Sequence, residues 1–208
     1  MTPKINPRLN FTKKLAEKKR RVATLPRYME GAMYSTAKGR AKDFIKYWQR
    51  NIRTDALSVR RLKAKTVKMK AKRGYRKPSV PLYGLGDRDP HTYINMMRLY
   101  AMKNGYKVAP GRKEHHKSEL KLKDLFIVHE YGCTIQNGFG RGIHIRIPAR
   151  PTFFLSYESF IIKEAKKKKN RMVMNAARQY IRTGRTELFH KIRSRYGGRG
   201  TGGEEKVS

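Results

Sequence analysis

Residues 143–154 read Ile-His-Ile-Arg-Ile-Pro-Ala-Arg-Pro-Thr-Phe-Phe, and the fold prediction starts from them. The isoleucines alternate with His144 and Arg146, a period of two that is typical of a strand with one buried face. Pro148 has no N–H to donate to a neighbouring strand, so the strand ends there or continues only as an edge. With Ser156 as N-cap and Glu158 in the first turn, the sequence predicts a strand, a rigid Pro-Ala-Arg-Pro corner and a long helix.

The segment before this strand predicts a short helix and a tight tip. Apolar residues between Leu120 and Tyr131 indicate a helix that ends at Gly132 and carries His129 and Glu130 at its end. Glycines at 138, 140 and 142 resemble a phosphate-cradling loop, but they lead into a strand rather than a helix, which favours a hairpin-like tip. We interpret Glu130 as the charge-assisted partner of Arg150, fixing the corner.

The N-terminal half predicts one long amphipathic helix. Apolar residues recur at threes and fours from Met29 to Ile52, and Pro26 suits the first helical position. Trp48 lies on the apolar stripe, which favours a core anchor over a base-stacking residue. Residues 1–24 are basic with little apolar periodicity, so we expect an arm that is disordered or draped on a partner.

The remaining patterns complete an α+β fold with helices packed on one face of a small antiparallel sheet. Residues 92–102 and 106–108 predict two strands joined by an Asn104-Gly105 hairpin turn. A long C-terminal helix is expected from Ser156 to about Arg182, a short helix from Thr186 to Arg195, and a glycine-rich tail beyond. The predicted domain limits are a basic arm at 1–24, an α+β domain at 25–182 and a basic, glycine-rich extension at 183–208.

The charge balance points to a polyanionic partner. Lysine and arginine total 51 against 15 acidic residues, a formal net charge of +36. Self-repulsion of this size opposes compaction unless an anion neutralises it, and nucleic acid is the first candidate. One cysteine, Cys133, excludes an intrachain disulfide and agrees with a reducing compartment. No apolar run approaches the length of a membrane span, so no membrane partner is expected.

Two basic segments are the candidate contacts with DNA or an acidic partner. Arg60 to Lys77 contains ten lysines or arginines and no acid. A flexible solvated loop and a phosphate-contacting surface are equally good interpretations of it. Four consecutive lysines at 166–169 cover every direction of a helical turn. The candidate residues are Arg60, Arg61, Lys63, Lys65, Lys68, Lys70, Lys72, Arg73, Arg76, Lys77, Lys166, Lys167, Lys168 and Lys169.

Catalytic and metal chemistry find little support. His129 and Cys133 are four residues apart, yet no tightly spaced second pair of ligands completes a zinc site. His129 and Glu130 resemble an acid–base pair, but nothing supplies a nucleophile or a positioned second carboxylate. We therefore expect no cofactor, no metal and no enzymatic activity.

One motif order resembles a known family. The order is His129-Glu130-Tyr131-Gly132, a glycine-rich turn, Ile147-Pro148-Ala149-Arg150-Pro151 with Phe153, and then a helix. It resembles the head-to-tail joining proteins of tailed bacteriophages, also described as neck, tail-completion, minor tail or virion morphogenesis proteins. Leu62, Thr66, Val67 and Lys70 are similar to the family's segment after its first long helix. Pro81-Leu82-Tyr83-Gly84-Leu85-Gly86 stands where the family usually has a Pro-Leu and Thr-Gly-Leu element, with Gly84-Leu85-Gly86 in place of Thr-Gly-Leu. The resemblance covers about Tyr28 to Tyr180.

The resemblance implies a structural virion protein. It would form a ring, of unknown subunit number, in the neck between head and tail around the DNA channel. Its expected partners are itself, a portal-proximal connector, the tail-tube or tail-terminator proteins, and double-stranded DNA without sequence specificity. The expected location is the virion, with the host cytoplasm during assembly. The alternative, from charge alone, is a non-viral nucleic-acid-binding protein of the ribosome-associated or nucleoid type.

Overall fold

The computed structural model describes residues 7–57, 59–82, 92–103, 105–112, 121–138, 143–165 and 169–197. These residues form an α+β fold, which confirms the predicted class. Along the chain the elements are α1 (Pro7–Thr54), α2 (Ala64–Lys72), a 3-10 turn (Tyr93–Asn95), β1 (Met97–Met102), β2 (Gly105–Pro110), α3 (Leu122–Tyr131), β3 (Cys133–Gly138), β4 (Ile143–Ile147), α4 (Phe153–Ala165), α5 (Lys169–Thr183) and α6 (Glu187–Gly197). Among the described helices none is both long and apolar enough to cross a membrane.

α1 begins at Pro7, 19 positions before the predicted start at Pro26. Pro26 therefore lies inside the helix. A proline inside a helix removes one backbone hydrogen bond. The flanking residues offset this loss, since lysine, arginine, alanine and glutamate favour helix. Arg21 also donates to the carbonyl oxygens of Ile181 (3.3 Å) and Arg182 (2.9 Å), so this part of the expected arm is an ordered helix with tertiary contacts.

The chain folds as two compact units. The first unit contains the described residues up to Arg40, those from Lys169 onward, and Lys103 with Gly105. Its core forms where α1, α5 and α6 meet, and Tyr28 packs its ring against Tyr180 at 5.1 Å between centroids. The buried apolar residues are Ala32, Val173, Ala176, Ala177, Tyr180, Phe189 and Ile192. The predicted short C-terminal helix is thus confirmed as α6 and supplies two of these core residues.

The second unit contains the described residues from Ala41 to Ala165 apart from Lys103 and Gly105. Trp48 is fully buried in its core, which confirms the interpretation of this residue as a core anchor. The ring of Phe44 meets that of Phe153 edge to face at 5.1 Å and brings α4 against α1. The buried apolar residues are Phe44, Trp48, Ile52, Tyr93, Ile94, Met96, Met97, Leu122 and Phe160.

Two short β-hairpins belong to this second unit. β1 pairs with β2, and because only two residues join them, the pair must be antiparallel. Residues 92–96 were predicted as strand but begin with the 3-10 turn, and Asn104 lies outside the described residues. β4 ends at Ile147 directly before Pro148, as predicted. Its antiparallel partner β3, from Cys133, was not predicted as a strand.

The C-terminal helical region begins earlier than predicted. α4 begins at Phe153, so Ser156 is not an N-cap; its side chain is fully buried and accepts a hydrogen bond from Asn51 Nδ2 at 3.0 Å. The single long helix expected from Ser156 to Arg182 is described as α4 and α5, with residues 166–168 outside the described part. A polar side chain one turn into a helix resembles a cap in sequence, whereas here it serves a helix–helix contact.

Candidate functional site

The motif residues meet at a buried carboxylate. Glu130, near the end of α3, is 3% exposed, and its Oε1 accepts hydrogen bonds from the backbone N–H groups of Thr152 (2.8 Å) and Phe153 (2.9 Å). These donors belong to the start of α4, where backbone N–H groups have no partner within the helix. A negative charge at this position also complements the helix dipole. Glu130 therefore caps α4 from a different element of the fold.

The hydroxyl of Thr152 extends this contact into a network. It donates to Glu130 Oε1 at 2.9 Å, and it accepts from the indole Nε1 of Trp48 at 3.1 Å. Tyr93 Oη donates to the same Glu130 oxygen at 3.0 Å and lies 3.1 Å from Thr152 Oγ1. All four residues are at most 5% exposed. We call Trp48, Tyr93, Glu130 and Thr152 the buried joint, because it connects α1, the 3-10 turn, α3 and α4.

The buried joint fixes the protonation state of its phenol. Burial, and then the negative charge of Glu130, raise the pKa of Tyr93 far above its ordinary value. Tyr93 therefore remains a hydrogen-bond donor at every physiological pH. The second oxygen of Glu130, Oε2, is buried without a hydrogen-bond partner among the described residues. One oxygen of Glu130 thus joins α3 to the 3-10 turn and to the start of α4, and the hydroxyl of Thr152 adds α1 through Trp48.

Arg150 does not form the predicted pair with Glu130. Its backbone N–H donates to the carbonyl of His129 at 2.6 Å, and its side-chain Nε donates to the carbonyl of Arg60 at 3.3 Å. Burial and the neighbouring charge of Arg60 lower the pKa of Arg150. The carboxylate of Glu130 is instead used by backbone donors that cannot move away from it. Arg150 thus ties the corner to the segment before α2.

The backbone around position 132 explains why the motif has a glycine there. Its φ is +75°, and a Cβ placed there would stand 2.8 Å from both Ala149 N and Ile147 O. Both neighbours are backbone atoms, so they cannot rotate away, and only glycine fits. The prediction that Gly132 ends the short helix is confirmed, since it is the C-cap of α3.

The other motif residues surround this packing. The ring of His129 meets Tyr93 edge to face at 5.0 Å. Tyr131 is 64% exposed, and its ring lies 6.1 Å from that of Phe154. Phe153 is half-buried and packs on the core of the second unit. Pro148 and Pro151 lie in the corner between β4 and α4, outside both elements.

The first basic segment contains a helix rather than only a loop. α2, described in full, buries none of its nine side chains and contains no acid. Lys65, Lys68 and Lys72 recur at helical spacing and line a surface hollow of about 390 Å³ together with Met69. This regular row of cations is an exposed surface that can face phosphates. The loop interpretation is therefore wrong for residues 64–72.

Two predicted contacts of this segment bind the protein's own backbone. Lys70 Nζ donates to the carbonyl of Val80 at 2.7 Å, and burial together with the charge of Arg150 lowers the pKa of Lys70. Lys77 Nζ donates to the carbonyl of Arg53, in the last turn of α1, at 2.9 Å. The other candidates in the segment are exposed, namely Arg60, Arg61, Lys63, Lys65, Lys68, Lys72, Arg73 and Arg76. The side chains of Lys70 and Lys77 therefore have structural contacts within the second unit.

The structure does not test the second basic segment, Lys166 to Lys169. Lys166, Lys167 and Lys168 lie outside the described residues, as does the side chain of Lys169. Lys163 just before them donates to Tyr47 Oη at 2.8 Å and lies 4.7 Å from the centre of that ring. Contact of these lysines with an acidic partner stays a prediction.

Sequence reasoning missed Thr152, Tyr93 and Trp48 as members of the buried joint. Thr152 carried a local signal, because threonine is favoured directly before the first turn of a helix. Tyr93 and Trp48 carried none, since they lie 59 and 104 positions away from Thr152.

Comparison with known proteins finds no matching family model, no matching curated protein and no matching solved structure.

Proposed function

We propose that this chain is a structural protein of a tailed bacteriophage, part of the neck ring that joins head to tail around the DNA channel. The observation that carries the proposal is the convergence of the motif residues. His129, Glu130 and Gly132 lie against the Ile147–Phe153 segment through the buried joint and the Gly132–Ala149 contact. In this arrangement the residues that carry the family resemblance determine the angle between β4 and α4, which suits a structural role.

The exposed lysine row of α2 supports a DNA partner. Lys65, Lys68 and Lys72 lie on a helix that buries no side chain of its own. Contacts of lysine with phosphate position a duplex without reading its sequence. A channel that conducts a whole genome requires this kind of contact, because every sequence must pass through it.

An exposed apolar face on α4 supports assembly with other subunits. Phe154, Leu155, Ile161 and Ile162 are between 38% and 61% exposed. Their positions at i, i+1, i+7 and i+8 place them on one side of the helix. Exposed apolar residues grouped in this way, here around the exposed Glu158 at i+4, are typical of contacts between proteins. In a chain of net charge +36, a face without lysine or arginine is also where two copies repel each other least.

The experiment that tests the proposal is localisation in the particle. Virions from the lysate of a host that expresses this chain are purified, and a tagged copy is located by cryo-electron microscopy. We expect density on the tail axis at the head–tail junction, repeated around that axis. Absence from purified virions, or one or two copies off the axis, would contradict the proposal.

The alternative is a non-viral nucleic-acid-binding protein, and the same lysine row on α2 favours it. It differs in where the protein is found. Co-purification with ribosomes or with the nucleoid, in cells that make no phage particles, would favour the alternative. The apolar face of α4 would then require a different explanation.

A further inference from the structure

A cavity of about 450 Å³ lies where α3, β3 and β4 meet. This volume is within the range of roughly 300–1,000 Å³ that is usual for small-ligand sites. Its lining residues include Arg60, Tyr131, Cys133, Thr134 and Arg146. None of the described residues that line the cavity is acidic.

The two arginines of the cavity are placed by their surroundings. Arg150 Nε donates to the carbonyl of Arg60 at 3.3 Å, which holds the segment of Arg60 against the corner. Arg146 lies directly opposite Thr134 in the β3–β4 pair. Residues opposite one another in an antiparallel pair share one face of the sheet, so the guanidinium of Arg146 and the hydroxyl of Thr134 emerge side by side.

Cations surround the cavity, and no acidic residue is among the described residues that line it. Burial, and after it the charge of Arg60, lower the pKa of Arg150. Burial, and after it the charge of Arg150, lower the pKa of Lys70, so these cations lie close enough to act on one another. Like charges held together cost free energy unless an anion lies between them. The cluster therefore favours a bound anion.

We propose that this cavity is a phosphate-binding site, in which Arg60 and Arg146 bind the oxygens of one phosphate group and Thr134 donates a further hydrogen bond. The planar guanidinium has donors spaced to match two phosphate oxygens, which a lysine ammonium does not. We assign the phosphate to the backbone of DNA. This source rests on the proposed function, whereas the site itself does not.

Cys133 provides a reporter inside the site. It is the only cysteine of the chain, it lines the cavity, and it is half-exposed. The rate of its alkylation by iodoacetamide, a neutral reagent, is measured by mass spectrometry at constant pH and ionic strength. The rate is determined for the full chain without ligand, with pyrophosphate, and with a short DNA duplex. The ratio of rates with and without ligand cancels any change in the basal reactivity of a variant.

We expect both ligands to slow the alkylation. At a ligand concentration ten times Kd about nine-tenths of the sites are occupied, so the rate falls roughly tenfold if the bound site does not react. Protection by pyrophosphate alone would support the site but overturn DNA as the source. No protection by either ligand would overturn the site. These results do not depend on whether the protein is found in virions, so the two proposals fail separately.

Matched variants test the arginines. Arg60→Gln with Arg146→Gln should weaken protection at least roughly tenfold, since each charged hydrogen bond contributes about that factor or more. Lys107→Gln with Lys123→Gln removes the same charge from exposed positions of the same unit that neither line the cavity nor belong to the candidate DNA contacts, and it should keep protection. An equal loss in both pairs would contradict a specific site. If the first pair does not fold, the single variant Arg146→Gln is tested instead. Arg146 is exposed, and its replacement should still weaken protection. Undiminished protection in this variant would overturn the proposal.

Discussion

The indole Nε1 of Trp48 donates to Thr152 Oγ1 at 3.1 Å, although the two residues are 104 positions apart. Trp48 lies in the middle of the second unit's part of α1, and Thr152 directly precedes α4. The same hydroxyl donates to Glu130, so one threonine connects the long helix to the motif carboxylate. Substitution of Thr152 therefore disturbs the contacts of both Trp48 and Glu130.

Thr152→Ala should lower the free energy of unfolding by about 1–3 kcal/mol. The substitution leaves Trp48 Nε1 without its acceptor and removes one donor from the buried Glu130 oxygen. Thr152→Ser keeps the hydroxyl and should recover most of the loss. The control is Thr54→Ala, an exposed threonine whose hydroxyl bonds only Arg50 O, four residues back. Urea denaturation of the three variants checks this, and equal midpoints for Thr152→Ala and Thr54→Ala would contradict it.

Gly132→Ala should destabilise the protein by more than Gly74→Ala. Both glycines have φ near +75°, so each substitution strains the backbone, and at Gly132 the ψ of 168° adds to the strain because this region is nearly restricted to glycine. A Cβ at Gly74 meets nothing within 4 Å, whereas one at Gly132 meets two backbone atoms at 2.8 Å. The difference between the two melting temperatures therefore reports the backbone conformation of Gly132 together with its contact with the corner. Similar temperatures would show that this contact yields easily.

Tyr93→Phe should lower the free energy of unfolding at neutral pH. It should also remove the part of the stability loss at alkaline pH that comes from ionisation of Tyr93. The folded-state pKa of Tyr93 is raised, so the folded state keeps a proton that the unfolded chain releases above about pH 10. The parent then loses roughly 1.4 kcal/mol per pH unit above that value through this residue, and the variant does not. Denaturation between pH 9 and pH 11 should show the gap between the two proteins closing. A constant gap would mean that Tyr93 ionises normally when folded.

A triple variant should show a weaker salt dependence of duplex binding; it replaces Lys65, Lys68 and Lys72 by Gln. Each lysine that neutralises a phosphate contributes about −0.9 to the slope of log affinity against log salt, so three lysines contribute up to about −2.7. The control is Lys107, Lys121 and Lys123 changed to Gln, which removes the same charge from exposed positions of the same unit. Fluorescence anisotropy at several salt concentrations measures both slopes. Identical slopes in the two variants would show that α2 has no special role.

The same titration applies to the second basic segment. Lys166, Lys167, Lys168 and Lys169 changed together to Gln should also lower the slope, and the affinity of the parent should be the same for duplexes of different sequence. An unchanged slope in this variant would remove the segment from the DNA contact. A marked preference of the parent for one duplex sequence would contradict contact through phosphates alone.

Ile162→Lys should weaken self-association without lowering the melting temperature. Ile162 is 61% exposed on the apolar face of α4, so a lysine there is solvated in the monomer but buried and unpaired in a contact between copies. Met102→Lys, at a 56% exposed position on β1, is the control. Native mass spectrometry and light scattering report the oligomeric state. The same subunit number for the parent and both variants would exclude this face from assembly.

Short-range rules were sufficient for several elements. The alternation before Pro148 predicted β4 and its end, Gly132 marked the end of α3, and the apolar stripe placed Trp48 in the core. Each of these rules acts over a few residues, because proline and glycine restrict or free their own backbone torsions and a helical stripe repeats every three or four positions. These rules did not predict the first turns of α1, which contain Arg21. The side chain of Arg21 donates to a carbonyl group 160 positions away, which no local pattern shows.

The joint and the cavity depend on distant partners. Opposite charge predicted a pair of Glu130 with Arg150. Glu130 instead accepts from the N–H groups at the start of α4, and Arg150 donates to Arg60, 90 positions earlier. The geometric reason is that a buried carboxylate is best satisfied by several fixed donors, and only the folded chain brings the N-terminus of one helix to the end of another. Arg60 and Arg146 face a common cavity for the same reason: their separation in space is set by how α3, β3 and the corner pack, and no local pattern encodes that packing.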